Sequence, residues 1–251
     1  MNKKQKLGSA TAKNGFKNED DVVAKFNNWQ KDIDAQQWLQ TMNYNINEIE
    51  NVLALRLSGY KTDVQAQVTI VLKTAIDVQN IQVKLVSSLK GFNQIDKRWV
   101  DTYADLWDMP KSIIKLLKHY TGELKPFVKK VKDKRRMFVN EFSQKEQEVL
   151  LLWLKKNKSL IVSDILKGRG QFAAEWMLVA QKVNKNSRWI LRPMNYCLNH
   201  YGNGDVTFTP RGNIKIANIG IQRKGGDKGR DTANMLQFKL NPAEIFNNDN
   251  I

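Results

Sequence analysis

Asp63 closes the segment Gly-Tyr-Lys-Thr-Asp, and eighteen residues rich in Val, Ile and Gln separate it from Gln82 in Ile-Gln82-Val-Lys84-Leu. The second segment reads as a buried strand. Residues two apart on a strand point to the same face, so Gln82 and Lys84 project together while Val83 faces the opposite layer. A carboxylate, an amide oxygen and a lysine are thereby able to converge on one divalent cation. A hard ion such as Mg²⁺ takes oxygen ligands from Asp63, Gln82 and a phosphate, and Lys84 orients an attacking water and offsets charge on the phosphorane. This is the donor set of a metal-dependent phosphodiesterase. The same residues also suit blander roles, since an Asp after Gly-Tyr-Lys-Thr fits a turn and Gln-x-Lys fits the wet face of a strand.

The elements that must hold these side chains are legible in outline. Residues 51 to 90 are β-rich, with runs at Gln67–Lys73 and Asn80–Val86, and so place the triplet in a sheet. Before them, residues 17 to 40 carry Val22, Val23, Phe26, Trp29, Trp38 and Leu39 at near-helical intervals, which predicts one or two amphipathic helices. Glu19 lies near their start, where a first-turn acid also complements the helix dipole. After the catalytic strand comes Lys90-Gly91-Phe92-Asn93-Gln94, a polar loop with one aromatic that either wedges between base steps or, as favoured on sequence alone, packs in the core.

Further on, Lys125, Lys129, Lys130, Lys132, Lys134, Arg135 and Arg136 form a basic run suited to a phosphate backbone. Ser143 and Glu146 form a capping-box signature ahead of a helix through Val149, Leu150, Trp153 and Leu154. Short β-like runs follow at Leu160–Val162, Trp176–Val179 and Ile214–Ile216, with a helix from Met194 to Tyr201 that Gly202 closes. The densest polar chemistry runs from Gln222 through Arg223, Lys224, Gly225, Gly226, Asp227 and Arg230 to Asn234 and Gln237. Glycines let a backbone approach nucleic acid, Arg223 and Arg230 fit guanine O6 and N7, and Asp227 accepts from cytosine N4. The alternative is a mobile glycine hairpin.

Composition sets the outer bounds. At 251 residues with a formal net charge of +16, the chain is long enough for a substantial core and points to a polyanionic partner, DNA or RNA. No apolar run approaches the roughly 20 residues of a membrane span, and the N-terminus lacks a signal-peptide core, so a cytoplasmic protein is expected. The lone Cys197 excludes an internal disulfide and a thiolate metal cluster. His119 and His200 are the only histidines and stand apart from metal or nucleophile spacing, which argues against a His-dependent nuclease.

Taken in order, the segments Leu7–Glu19, Leu57–Asp63, Ile81–Ser87, Lys90–Trp99, Lys132–Phe138, Gly168–Trp176 and Ile221–Lys239 resemble type II restriction endonucleases of the PD-(D/E)XK nuclease superfamily, in particular the small enzymes that cut GCGC. The likeness covers nearly the whole chain. It implies an α/β fold in which a central mixed sheet is flanked by helices, with the metal site at one sheet edge. It also implies one domain over 1–251, with a catalytic core over roughly 1–158 and a recognition region over roughly 159–251. Asp63, Gln82 and Lys84 would be catalytic, with Asp63 and Gln82 on Mg²⁺. Phe92, Gln94, Lys132, Lys134, Arg135, Arg223, Lys224, Asp227, Arg230, Asn234 and Gln237 would contact double-stranded DNA. A companion cytosine methyltransferase would act on the same site, and the enzyme would be a monomer or homodimer. In the same superfamily the N-terminal helix brings a carboxylate, here Glu19, toward the metal. One departure stands out: the usual Asp or Glu two residues before the lysine is Gln82, which makes the site less anionic.

The competing class is a catalytically silent DNA- or RNA-binding protein with the same basic surface. The methyltransferase itself is excluded, because the chain has neither a Pro-Cys nucleophile nor a Gly-rich cofactor loop after a first strand.

Overall fold

Apolar residues recurring every three or four positions make α1 (Lys3–Asn27) and α2 (Ile33–Thr41) amphipathic, and Val22, Phe26, Trp38 and Leu39 are buried along them. Asp32 caps α2 by accepting from the Ala35 N–H at 3.0 Å. In this computed structural model the described residues are 3–57, 65–183, 186–226 and 230–246, with side chains described from residue 14 onward and not at 65 or 186.

Three consecutive strands follow, β1 (Ile49–Leu57), β2 (Gln65–Leu72) and β3 (Ile76–Val86), paired antiparallel. Their alternation sorts the side chains. Val52, Ala54, Ala66, Val68, Ile70, Ile81 and Val83 bury against Val22, Phe26, Trp29, Trp38 and Leu39. Residues 80, 82, 84 and 86 therefore lie on the opposite face of β3.

The chain continues through β4 (Asn93–Arg98), α3 (Val100–Trp107), α4 (Lys111–Thr121), α5 (Gln144–Lys156) and α6 (Lys158–Leu166). Next come β5 (Trp176–Val183), β6 (Asn186–Pro193), α7 (Met194–Gly202), β7 (Val206–Phe208), β8 (Ile214–Ile216), β9 (Ile219–Arg223) and β10 (Leu236–Leu240). The capping box at the start of α5 is formed: Ser143 and Glu146 bond each other's backbone N–H.

The strands make two five-stranded sheets, β1-β2-β3-β5-β6 and β4-β10-β9-β8-β7. The first is mixed, because β3 and β5 run parallel. Two compact units contain them: Met1–Asn93 with Lys167–Cys197 and Asn241–Ile251, and Gln94–Leu166 with Leu198–Leu240. A boundary near residue 158 falls inside the second unit, between α5 and α6. That unit has its own core, in which Tyr103 stacks on Trp107 with ring centroids 4.5 Å apart and Phe238 meets both edge-on.

Two expectations need correction. β3 is the middle strand of its sheet, so Gln82 and Lys84 lie at the centre and not at an edge. Leu160–Val162 is helical within α6, because Ile161 with Ile165 and Val162 with Leu166 bury at i, i+4 spacing, a period that a three-residue window cannot display. Gly202 does close α7 as its last residue, and a Cβ there would approach Val162 Cγ1 to 2.8 Å. Among the described residues no helix is long and apolar enough to cross a membrane.

Candidate active site and recognition residues

Gln82 is fully buried on β3, and neither its Oε1 nor its Nε2 has a hydrogen-bond partner among the described residues. Leaving a buried amide unbonded costs about 1–3 kcal/mol. Such a group in a folded chain marks a site completed by something else, and an amide oxygen is a hard ligand of the kind a divalent cation takes. Lys84 follows on the same face at 5% exposure. The two are fixed from both sides, since β3 pairs with β2 through Gln65 and Gln82 and with β5 through Gln82–Met177 and Lys84–Val179. Asp63 lies outside the described residues. It precedes Gln65, the residue paired with Gln82, by two positions in the chain.

The donor set therefore fits a cation in part: one amide is ready and one lysine adjoins it. Glu19 and its neighbour Asn18 are both buried on α1, which packs on β1, β2 and β3. A solvated first-turn acid is not what Glu19 is, because it sits well within a helix that begins at Lys3. Among the described residues no group of three or more His, Cys, Asp or Glu gathers in metal-binding fashion.

Phe92 is 57% exposed, which overturns the core-packing reading favoured for it. Its loop is nonetheless anchored. Gly91 N–H donates to Ser88 O at 3.0 Å, Asn93 Nδ2 to Leu85 O at 2.7 Å and Asn241 Nδ2 to Leu89 O at 2.9 Å.

In the second unit the recognition candidates fall into two groups. Lys132 and Lys134 are exposed on the segment after α4, beside Arg135, whose guanidinium is held two-pronged by Asp133 through Nε and Nη2 at 2.9 Å each. That contact holds the Asp133 carboxyl below its usual range. Arg136 instead lies over the Phe138 ring at 4.0 Å. On β9, Arg223 donates to the Asn234 side-chain oxygen, and burial, then the charges of Arg135 and Arg136, lower its affinity for its proton.

The glycine stretch is not a free hairpin over its described part. Lys224 N–H bonds Met235 O and Gly225 N–H bonds Ala233 O, each at 2.9 Å, while Gly225 and Gly226 take φ of 66° and 81° that other residues rarely adopt. Asp227 lies outside the described residues, and Arg230 is exposed ahead of the 3-10 turn Asp231–Asn234. Gln94 and Gln237 are joined by a hydrogen bond of 2.6 Å, and Gln222 extends the chain. Gln222 and Arg136 were named in the sequence only as members of the polar segment and of the basic run. Gln94, Gln222 and Gln237 are far apart in sequence and meet only through strand register, whereas Arg136 is hidden in a run of similar charges.

Burial pushes the Cys197 thiol up to about 12, and His119, buried with Nδ1 2.8 Å from Lys125 O, is pulled down from its ordinary value chiefly by burial.

The fold is similar to that of restriction endonuclease MspI, solved in complex with its cognate DNA, with a TM-score of 0.62 at 12% identity over 88% of this chain and 87% of that one. The model of the R.HinP1I restriction endonuclease family matches residues 42–246, and the chain belongs to that family. It is a type II restriction endonuclease, a site-specific DNA nuclease. No curated protein matches it in sequence.

Proposed function

We propose that this endonuclease hydrolyses both strands of duplex DNA at a short palindrome of G·C pairs, GCGC, using Mg²⁺ held by Asp63 and Gln82. The observation that carries the reading is the buried amide of Gln82, without a partner among the described residues, beside Lys84 on one face of a central strand. Bound there, the ion would supply charge stabilisation at the phosphate and a more acidic water. The chain's own residues do the rest. Lys84 holds the attacking water in line and offsets negative charge as the new P–O bond forms and the ester P–O bond breaks. The sheet keeps these groups from drifting, and small misplacements are costly in rate.

Duplex DNA as partner is supported by the cognate DNA in the MspI complex, and GCGC by a recognition segment offering Arg223, Arg230 and Asp227 to guanine and cytosine edges, with Asn234 bonded to Arg223 and Gln237 bonded to Gln222. Lys132, Lys134, Arg135 and Lys224 grip phosphates, and Phe92 wedges into the stack from its anchored loop. A companion cytosine methyltransferase protects the host's own sites without binding this chain. A homodimer cuts both strands of the palindrome in one encounter; a monomer nicks them in turn.

The test is digestion of a plasmid of known sequence with Mg²⁺. Fragments ending at every GCGC, abolished by methylating that cytosine, support the reading. Discrete fragments at another site overturn GCGC, and activity unaffected by chelation overturns the metal.

A further inference from the structure

Gln222, Gln237 and Gln94 stand on three neighbouring strands, β9, β10 and β4. Gln222 and Gln237 face each other directly in the antiparallel register. Their amides form a chain of one polarity: Nε2 of Gln222 donates to Oε1 of Gln237 at 3.4 Å, and Nε2 of Gln237 donates to Oε1 of Gln94 at 2.6 Å. Gln237 is 5% exposed, while Gln222 and Gln94 are half-buried.

A primary amide has one accepting oxygen and two N–H donors. The central amide spends its oxygen on one neighbour and a donor on the other, so turning it over would put N–H against N–H and O against O in a buried setting. Such a mismatch is expensive, and the order of the chain is fixed. The sheet does not need the amides for its core. Ile219 and Ile221 on β9 and Leu236, Phe238 and Leu240 on β10 are buried on the other face and supply that.

We propose that Gln237 is a positioning residue for sequence readout, fixing Gln222 so that its oxygen and remaining N–H meet one C·G pair. The oxygen accepts from cytosine N4 and the N–H donates to guanine O6, groups that adjoin in the major groove. This rests on the site-specific reading above and adds to it a residue, Gln222, and a division of labour.

The test is binding of wild type, Gln222→Met, Gln237→Met, the double variant and Gln237→Glu, with Ca²⁺ in place of Mg²⁺. The duplexes are the wild type's preferred site, the same site with each base pair replaced in turn, and a scrambled sequence. Each single Met variant is expected to lose about tenfold on the preferred site and nothing on the scrambled duplex. The double variant loses no more than the larger single loss, because Gln237 acts through Gln222, and both lose discrimination at the same base pair. Gln237→Glu keeps that discrimination, since its carboxylate still accepts from Gln222 and, once the Gln94 amide turns over, from Gln94 Nε2 as well. Should Gln237→Met fail to fold, Gln222→Met, half-buried, reads the same preference. Additive losses, equal losses on scrambled DNA or effects at different base pairs overturn the proposal alone. A wild type that prefers no sequence overturns the site-specific reading and this one with it.

Discussion

Arg223 presents two guanidinium N–H groups to one neutral acceptor: Nε and Nη2 donate to the side-chain oxygen of Asn234, at 3.1 and 2.8 Å. Arg135 is held just as firmly, but by the Asp133 carboxylate, which offsets part of its charge. Asn234 thus fixes the plane of Arg223 and leaves its charge unspent, the condition for two-pronged contact with guanine. Arg223→Ala should cost about 1–3 kcal/mol on GCGC and much less on unrelated duplex. Asn234→Ala should lose less, with the same selectivity. Neutralising Lys132 or Lys134 should weaken all DNA about equally and flatten the salt slope. A salt series with Ca²⁺ on cognate and scrambled duplexes measures all of these. Equal losses for Arg223→Ala on both duplexes would assign that arginine to phosphate.

Asp63→Ala and Lys84→Ala should abolish plasmid cleavage while leaving specific binding largely intact, because neither residue is assigned to base readout. Cleavage is scored with Mg²⁺ and binding with Ca²⁺. Near-wild-type cutting by either variant would remove the proposed active site.

Gln82 makes stability and activity pull in opposite directions. Gln82→Met replaces a buried amide that has no partner among the described residues with an apolar chain of similar length, and should stabilise the metal-free protein by up to about 1–3 kcal/mol while destroying cleavage. Gln82→Glu should preserve cleavage and tighten metal binding, since it adds a charged oxygen ligand, and should lower the metal-free melting temperature by burying a charge. Unchanged metal dependence in Gln82→Glu would show that residue 82 does not touch the ion.

His119 gives the fold a pH dependence of known sign. It is buried against Phe127, with Lys115 and Glu146 as the nearby charges, and its affinity for a proton is reduced below the ordinary value of 6.5, first by burial. The unfolded chain therefore binds the proton more readily. The stability His119 contributes is fully present above about pH 6.5 and is lost as pH falls through and below that value. Melting curves from pH 8 to 5 should show the decline, and His119→Gln should flatten it. A decline of the same steepness in the variant would assign it to other groups.

How much of this was legible in sequence follows from the range of the forces involved. The helices over residues 17–40, the strand carrying Gln82 and Lys84, and the Ser143–Glu146 cap depend on local periodicity and were read correctly. The strand Asn93–Arg98 was not, because Asn-Gln-Ile-Asp-Lys-Arg is polar throughout and becomes a strand only by pairing with β10, far along the chain. For the same reason the central place of β3 depended on β5, more than ninety residues from Gln82, joining it in parallel. The candidate residues were visible by type, whereas the lack of a partner for Gln82 among the described residues and the Asn234 anchor of Arg223 appear only in three dimensions.

On sequence alone core packing was favoured for Phe92 over the wedge between base steps that the resemblance implies, and its exposure turns the comparison with a core aromatic into a test. At 57% exposure on a loop tied down by Asn93 and Asn241, it contributes little to folding, and Phe92→Ala should shift stability by no more than about 0.5 kcal/mol. A buried phenylalanine would cost several times that. An apolar ring kept in water on an anchored loop is suited to entering a base step, exchanging unstacking energy for a bend that brings more protein onto the duplex. The expected result is that Phe92→Ala melts like wild type but binds GCGC with a smaller bend, read as lower energy transfer between dyes at the two duplex ends with Ca²⁺ present. An unchanged bend would leave Phe92 as a surface residue with no part in recognition. A large drop in melting temperature would return it to the core.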